Sequence, residues 1–458
     1  MTDSLIRAAR DAVQREDWVR AWHLLNAELN ERPERPEALY LMGHVLRQQG
    51  NVGLALPLFA KALSLEQRVP NIWMNYGACL HDLNRWEDAI KAFTVVHAQL
   101  PQDDMPPANI AGSIVNMGKW HDAINWADKA LAINPKNYIA RIAKAFGCLG
   151  IGRWKDAWEH AEYLYGNHLD VRVYNPPEKE EPEWDGSKGK TVVVQCDQGI
   201  GDQLMFSQLI PRMQKDCKLV IMETVDRMVP LFRRNFPGVH VYGTLKKQGI
   251  EWPKDYQIDA HIHISYLGKF YLHKDVDFER KAYITAEPNL KAKWLRWLEQ
   301  FPKPWIGLAW KGGIQQTQKH LRSVRIEDYA PVLKLPGTFI DLSYHDSSAE
   351  VAAWNIDNKT QIVRPPVNVA DFEDTVALVA ALDEVVTVTT TVAHVCGALG
   401  RTAHVMVPKV AQWRYAYKYK GGEKLIWYPE GSVRLYRQNN GDNDWGHVVR
   451  RIVDALRR

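Results

Sequence analysis

WEDAI at residues 86–90, WHDAI at 120–124 and WKDAW at 154–158 are near-copies of one phrase, set 34 residues apart. WVRAW at 18–22 and VGLAL at 52–56 extend the series toward the start of the chain. Within it Trp18, Val52, Trp86, Trp120 and Trp154 hold one position, and Ala21, Ala55, Ala89, Ala123 and Ala157 the position three residues on. A second track is small: Gly43, Gly77, Ala111 and Ala145. A third consists of helix stops, Pro33, Pro101 and Pro135, with Gln67 in the remaining slot.

A period of this length with small residues at fixed positions reads as tetratricopeptide (TPR) repeats, each a pair of antiparallel helices. Small residues let the paired helices approach, and Phe59 and Phe93, at equal phase, fill the space between them. One repeat alone cannot bury its apolar face, so neighbours stack into a solenoid. Nearly five repeats are expected over 1–168. Such stacks present a groove to a protein or peptide, an expectation that belongs to the fold rather than to these residues.

The chain has 458 residues, more than one domain's worth, and a net charge of +4. That charge is too weak to argue for nucleic acid or a membrane surface. No apolar run is long enough to span a bilayer. The opening MTDSLIRAARDAVQRED is polar and helical in pattern, unlike a signal peptide. Five scattered cysteines, none in a C-x-x-C pair, suit a reducing, cytoplasmic setting and argue against zinc or a disulfide framework.

The beat fades after Trp158. YNPPEKEEPEWDGS, 174–187, is rich in proline and charge, and a linker is expected over 169–186. Beyond it the pattern alternates β and α, which predicts parallel sheets covered by helices. A first α/β unit is expected over 187–288, with strands at 190–196, 218–222, 239–242 and 260–264. A Trp-bearing helix follows within 289–302. A second unit is expected over 303–440, with strands at 305–310, 338–343, 384–389 and 404–407. A closing helix falls within 441–458. Two such units facing each other would form a cleft at the carboxyl ends of their strands.

Three stretches there carry chemistry. In Gly199-Ile-Gly201-Asp202-Gln203 the glycines permit a sharp turn and close approach of a ligand, and Asp202 starts a helix; it either serves the cleft or simply caps. Trp310-Lys311-Gly312-Gly313, with Arg322 nearby, suits a diphosphate as well as it suits a solvated basic loop. Thr389-Thr390-Thr391, leading to His394, places free helix N–H groups and hydroxyls at a strand end, as anion binding requires. Ordinary threonine capping and a core histidine remain the alternative. Arg414, among the aromatics Trp413, Tyr415 and Tyr417, reaches toward the same region, and those rings suit a sugar or a base as well as they suit packing.

Taken in order, PEWDGS (182–187), QGIGDQLMFSQLIP (198–211), IGLAWKG (306–312), RSV (322–324), DFEDTVALVAALDEV (371–385), the T-x-x-A-H-x-x-G-A-L-G segment, Trp413-Arg414 and WYPEGSVRLYRQ (427–438) resemble a known family. They look like bacterial TPR-linked proteins similar to the ADP-heptose:lipopolysaccharide heptosyltransferases (glycosyltransferase family 9-like). The resemblance covers most of 182–456. It implies a GT-B fold of two Rossmann-like lobes and metal-independent, inverting sugar transfer, with Asp202 as general base. It places the nucleotide-sugar near Lys311, Gly312, Arg322, Thr390, Thr391, His394 and Arg414, and the acceptor near Gly199, Gly201 and Gln203. Where the family commonly has Asp-Thr, this chain has Thr389-Thr390.

The expected fold class is therefore α + α/β: a TPR solenoid followed by a two-lobed transferase. The expected function is transfer of a sugar from a nucleotide-diphosphate donor to a protein or glycan acceptor recruited by the TPR arm. No cofactor or metal is expected, and self-association is left open. The other reading is a TPR interaction scaffold whose transferase-like half is inactive.

Overall fold

The computed structural model describes residues 4–160, 182–196, 199–243, 256–313, 319–358, 361–368, 370–439 and 444–457. The chain forms two compact units, Met1–Cys148 and Leu149–Arg458.

The first unit is a run of helix pairs. Ser4–Gln14 pairs with Trp18–Glu31, Pro36–Gln48 with Val52–Leu65, Pro70–Asp82 with Trp86–Gln99, and Met105–Asn116 with Trp120–Ile133. The second helices end at Glu31, Leu65, Gln99 and Ile133, each two residues before its stop signal. The turn between paired helices needs one residue at positive φ, and that residue also keeps the beat: Glu16, Gly50, Asn84, Gly118 and Gly152.

The small-residue track works through volume. A Cβ added at Gly43 would lie 2.9 Å from the Phe59 ring, and at Gly77 it would lie 2.7 Å from the Phe93 ring. One repeat later the large partner shrinks and the small one gains a methyl: Ala111 and Ala127 are fully buried in one cluster. Gly77→Ala is therefore expected to cost about 1–3 kcal/mol by overpacking. Gly112 is the contrasting case. An added Cβ there meets only the Ile139 side chain, at 3.9 Å, so Gly112→Ala should be neutral or stabilise by up to about 1 kcal/mol. Urea midpoints of the two variants test the pair.

The second unit holds two parallel sheets. In the first, β1 (Thr191–Gln195), β2 (Leu219–Glu223), β3 (His240–Tyr242) and β4 (Ala260–His263) are ordered β3-β2-β1-β4. In the second, β5 (Trp305–Ala309), β6 (Thr338–Asp341), β7 (Ile362–Val363), β8 (Glu384–Val388), β9 (Ala403–Val407) and β10 (Val433–Arg437) are ordered β10-β9-β8-β5-β6-β7. All pairings between these strands are parallel. Both faces are covered, and β1 and β5 are buried along their whole length. β7 and β10 were not anticipated. Two residues leave β7 no pattern to read, and β10 lies in a stretch with an exposed Arg434.

In each sheet the chain winds outward from the first strand and then returns to its other side. This creates a switch point between β1 and β4, and another between β5 and β8. Crevices for ligands open at such points, beyond the carboxyl ends of the strands.

Part of the stretch read as a linker lies outside the described residues. Its described end is pinned beside β4: His261 N–H donates to the Pro182 carbonyl at 3.0 Å, and Trp184 N–H to the His261 carbonyl at 2.8 Å. Trp184 is buried, its ring 4.8 Å from that of Phe270. The last beat of the repeat is also spent here. Trp154 and Trp158 pack within the second unit, where Trp154 Nε1 donates to Asp275 at 2.8 Å and Trp158 Nε1 to the Leu272 carbonyl at 2.6 Å.

Candidate functional site

The site grows from the two switch points. After β1 the chain turns at Gly199 and enters the helix Ile200–Ser207, with Asp202 in its first turn. The Asp202 carboxylate accepts from Arg414 Nε, and both side chains are 17% exposed. Asp202 thus turns to a cation rather than to the N–H groups of its own helix. Gln203 turns the other way: fully buried, it accepts from Thr224 Oγ1 at the end of β2.

After β8, Thr390 caps the helix Thr391–Leu399 by accepting from Val392 N–H at 3.3 Å. Thr389 is buried and accepts from Arg322 through both its hydroxyl, at 3.1 Å, and its carbonyl. Gly312, beyond β5, allows close packing here, since a Cβ would lie 2.8 Å from Thr390 Cγ2. Its N–H donates to Ser323 Oγ at 3.3 Å. Lys311 is turned to Glu350 as an ion pair.

The helices that start at the two switch points meet. A Cβ on Gly201 would lie 2.9 Å from His394 Cδ2. Both ring nitrogens of His394 are engaged, Nδ1 with Tyr428 OH at 2.7 Å and Nε2 with Tyr415 OH at 3.0 Å. His394 therefore holds the site together from within the core, and a phosphate finds neither ring nitrogen unoccupied. Burial pushes its pKa down to about 4, against the pull of Asp202.

Sequence reasoning overlooked His263. It ends β4 opposite Gln195 of β1, on the far side of the first switch point. Its Nδ1 meets Ser265 Oγ at 2.7 Å, and burial lowers its pKa to about 3, with Asp202 raising it. The available signal was AHIHIS at 260–265, a strand ending in polar residues.

These two histidines predict a pH response. In the unfolded chain each takes up a proton near pH 6.5, but in the folded protein only near 4 and 3. Between those limits the unfolded state binds more protons. Stability is then lost as pH falls below 6.5, by about 1.4 kcal/mol per unit for each histidine, and is level above it. Urea midpoints at pH 7 and pH 5 measure the loss, and His394→Gln should flatten the slope.

Arg322, Arg414 and Asp202 thus gather around His394, and Gly312 closes on Thr390. Among the described residues no group of three or more His, Cys, Asp or Glu side chains could hold a metal ion. Nor is any described helix long and apolar enough to cross a membrane.

Comparison with known proteins adds breadth. Residues 21–96 match the family model described as anaphase-promoting complex, cyclosome, subunit 3. With the helix pairs above, this supports a TPR-type repeat in the first unit. Protein FlbA of Caulobacter vibrioides is 25% identical over 449 residues, covering 93% of this chain and 73% of that protein. Among solved structures, MamA from Desulfovibrio magneticus RS-1 is 21% identical over 36% of this chain and 91% of its own, with a TM-score of 0.32. A tetratricopeptide repeat protein from Parabacteroides merdae is 23% identical over 36% of this chain and 65% of its own, also with a TM-score of 0.32.

Proposed function

We propose that the second unit is a GT-B glycosyltransferase that moves a sugar, with inversion and without a metal, from a nucleotide-diphosphate donor to an acceptor hydroxyl. The observation that carries this reading is a carboxylate on one switch-point helix, Asp202, set against cations gathered at the other, Arg414 and Arg322. The family resemblance of 182–456 supports it.

In the proposed reaction the acceptor oxygen attacks the anomeric carbon while its proton passes to the Asp202 carboxylate. The bond from that carbon to the diphosphate oxygen breaks, and the electron pair leaves with the nucleoside diphosphate. Arg322, Arg414, Lys311 and the N–H groups at the start of Thr391–Leu399 are suited to neutralise it. Arg322 is held for that task by the end of β8. Thr389, which stands where the heptosyltransferase-like proteins commonly have aspartate, offers this guanidinium a hydroxyl and a carbonyl.

The acceptor is proposed to be a protein or glycan recruited by the TPR arm. A hollow of about 340 Å³ on the first unit suits such a partner. The Arg47–Asp82 ion pair, Asn109, Asn116, Val115 and Phe146 are among its lining. A scaffold role with an inactive second unit is the rival, favoured by Thr389 alone. Purified protein incubated with a panel of nucleotide-sugars, with release of nucleoside diphosphate as readout, separates the two: turnover supports the transferase, and none with any donor supports the scaffold.

A further inference from the structure

We propose that Arg414 is shared between base and donor: it covers Asp202 until the donor diphosphate draws it off, so that the donor must bind before the acceptor can react. This rests on the transferase reading and assigns an order to it.

The two arginines of the site are held differently. Arg322 is gripped by β8, through the carbonyl and hydroxyl of Thr389. Those contacts hold Arg322 beside the carboxyl end of β8. Arg414 stands on the four-residue helix Trp413–Ala416, stacked 4.6 Å over the Trp413 ring, and its Nε reaches across to the Asp202 carboxylate. Its partner there is a charge on a different sheet's helix, 212 positions away in the chain.

In this arrangement Asp202 Oδ1 is taken by Arg414 Nε and is not open to an acceptor hydroxyl. A guanidinium carries five N–H donors in a planar fork and suits a diphosphate better than a single carboxylate. When a diphosphate settles between Arg322 and the start of Thr391–Leu399, Arg414 gains the stronger partner, and Asp202 is uncovered. The base then becomes competent only when a leaving group is in place.

Binding of the free diphosphates tests this without turnover. The full-length protein is titrated calorimetrically with ADP, GDP, UDP and CDP, as wild type, Asp202→Asn, Arg414→Ala and the double variant, with thermal melts to check folding. If Asp202 holds Arg414 in about nine molecules of ten, releasing it should tighten binding about tenfold. Asp202→Asn is thus expected to bind the preferred diphosphate about tenfold tighter, Arg414→Ala more weakly than wild type, and the double variant no tighter than Arg414→Ala. Equal affinity of Asp202→Asn and wild type overturns the shared role. The same tenfold gain in the Arg414→Ala background also overturns it, since Asp202 would then act by direct repulsion. Should none of the four bind wild type, the transferase reading itself falls, and the order with it.

Discussion

Asp202→Asn is expected to cut sugar transfer by about 10²–10⁴-fold, the usual worth of a positioned general base. The side chains are nearly equal in size, so what is lost is the proton acceptor. Asp202 lies in the first turn of Ile200–Ser207 and is 17% exposed, outside the apolar core, so the melting temperature should change little. The amide still offers an oxygen to Arg414, yet it no longer competes as a charge. Turnover should therefore collapse while nucleoside diphosphate binding is kept or improved. Initial rates with the best donor, set beside calorimetric binding, make the comparison. Wild-type turnover in Asp202→Asn would remove the carboxylate from the reaction.

Trp427→Ala is expected to destabilise the second unit by about 3–5 kcal/mol, the range for deleting a large buried aromatic. Trp427 is 1% exposed. Its ring centre lies 4.9 Å from that of Phe278, 5.5 Å from Phe206, and 6.0 Å from both Trp154 and Trp413. Phe206 belongs to the helix that carries Asp202, and Trp413 supports Arg414. The cavity would thus loosen both partners of the central ion pair along with the core. Trp427→Phe keeps most of the contacts and should cost less. Chemical denaturation followed by circular dichroism compares the two variants, and a loss below about 1 kcal/mol in Trp427→Ala would show that the cluster relaxes to fill the space.

Much of the architecture was legible before any coordinates. The repeat beat located helix ends to within two residues, because each repeat solves the same packing problem with its neighbours and so reuses the same small and large positions. Alternating β and α patterns located eight of the strands, because strands covered on both faces must be apolar throughout. Glycine turns and threonines at strand ends pointed to the switch points. The positive-φ track was present too, though Glu16 and Asn84 occupy it beside three glycines and hide it from a reader looking for one residue type.

What the sequence by itself determined is the period, the alternation and the residue types available at the strand ends. Which of them meet was decided by the tertiary structure. Asp202 finds Arg414, His394 finds Tyr415 and Tyr428, and His263 comes beside β1, only after parallel strand order has brought distant segments together. Trp154 and Ala157 show the same division: in sequence they are one more beat of the repeat, and in the fold they belong to the second unit. The reason is physical. Periodicity records contacts that recur between neighbours along the chain, whereas a site built across two sheets depends on single, unrepeated contacts between segments far apart in it, and these leave no pattern until the sheets have formed.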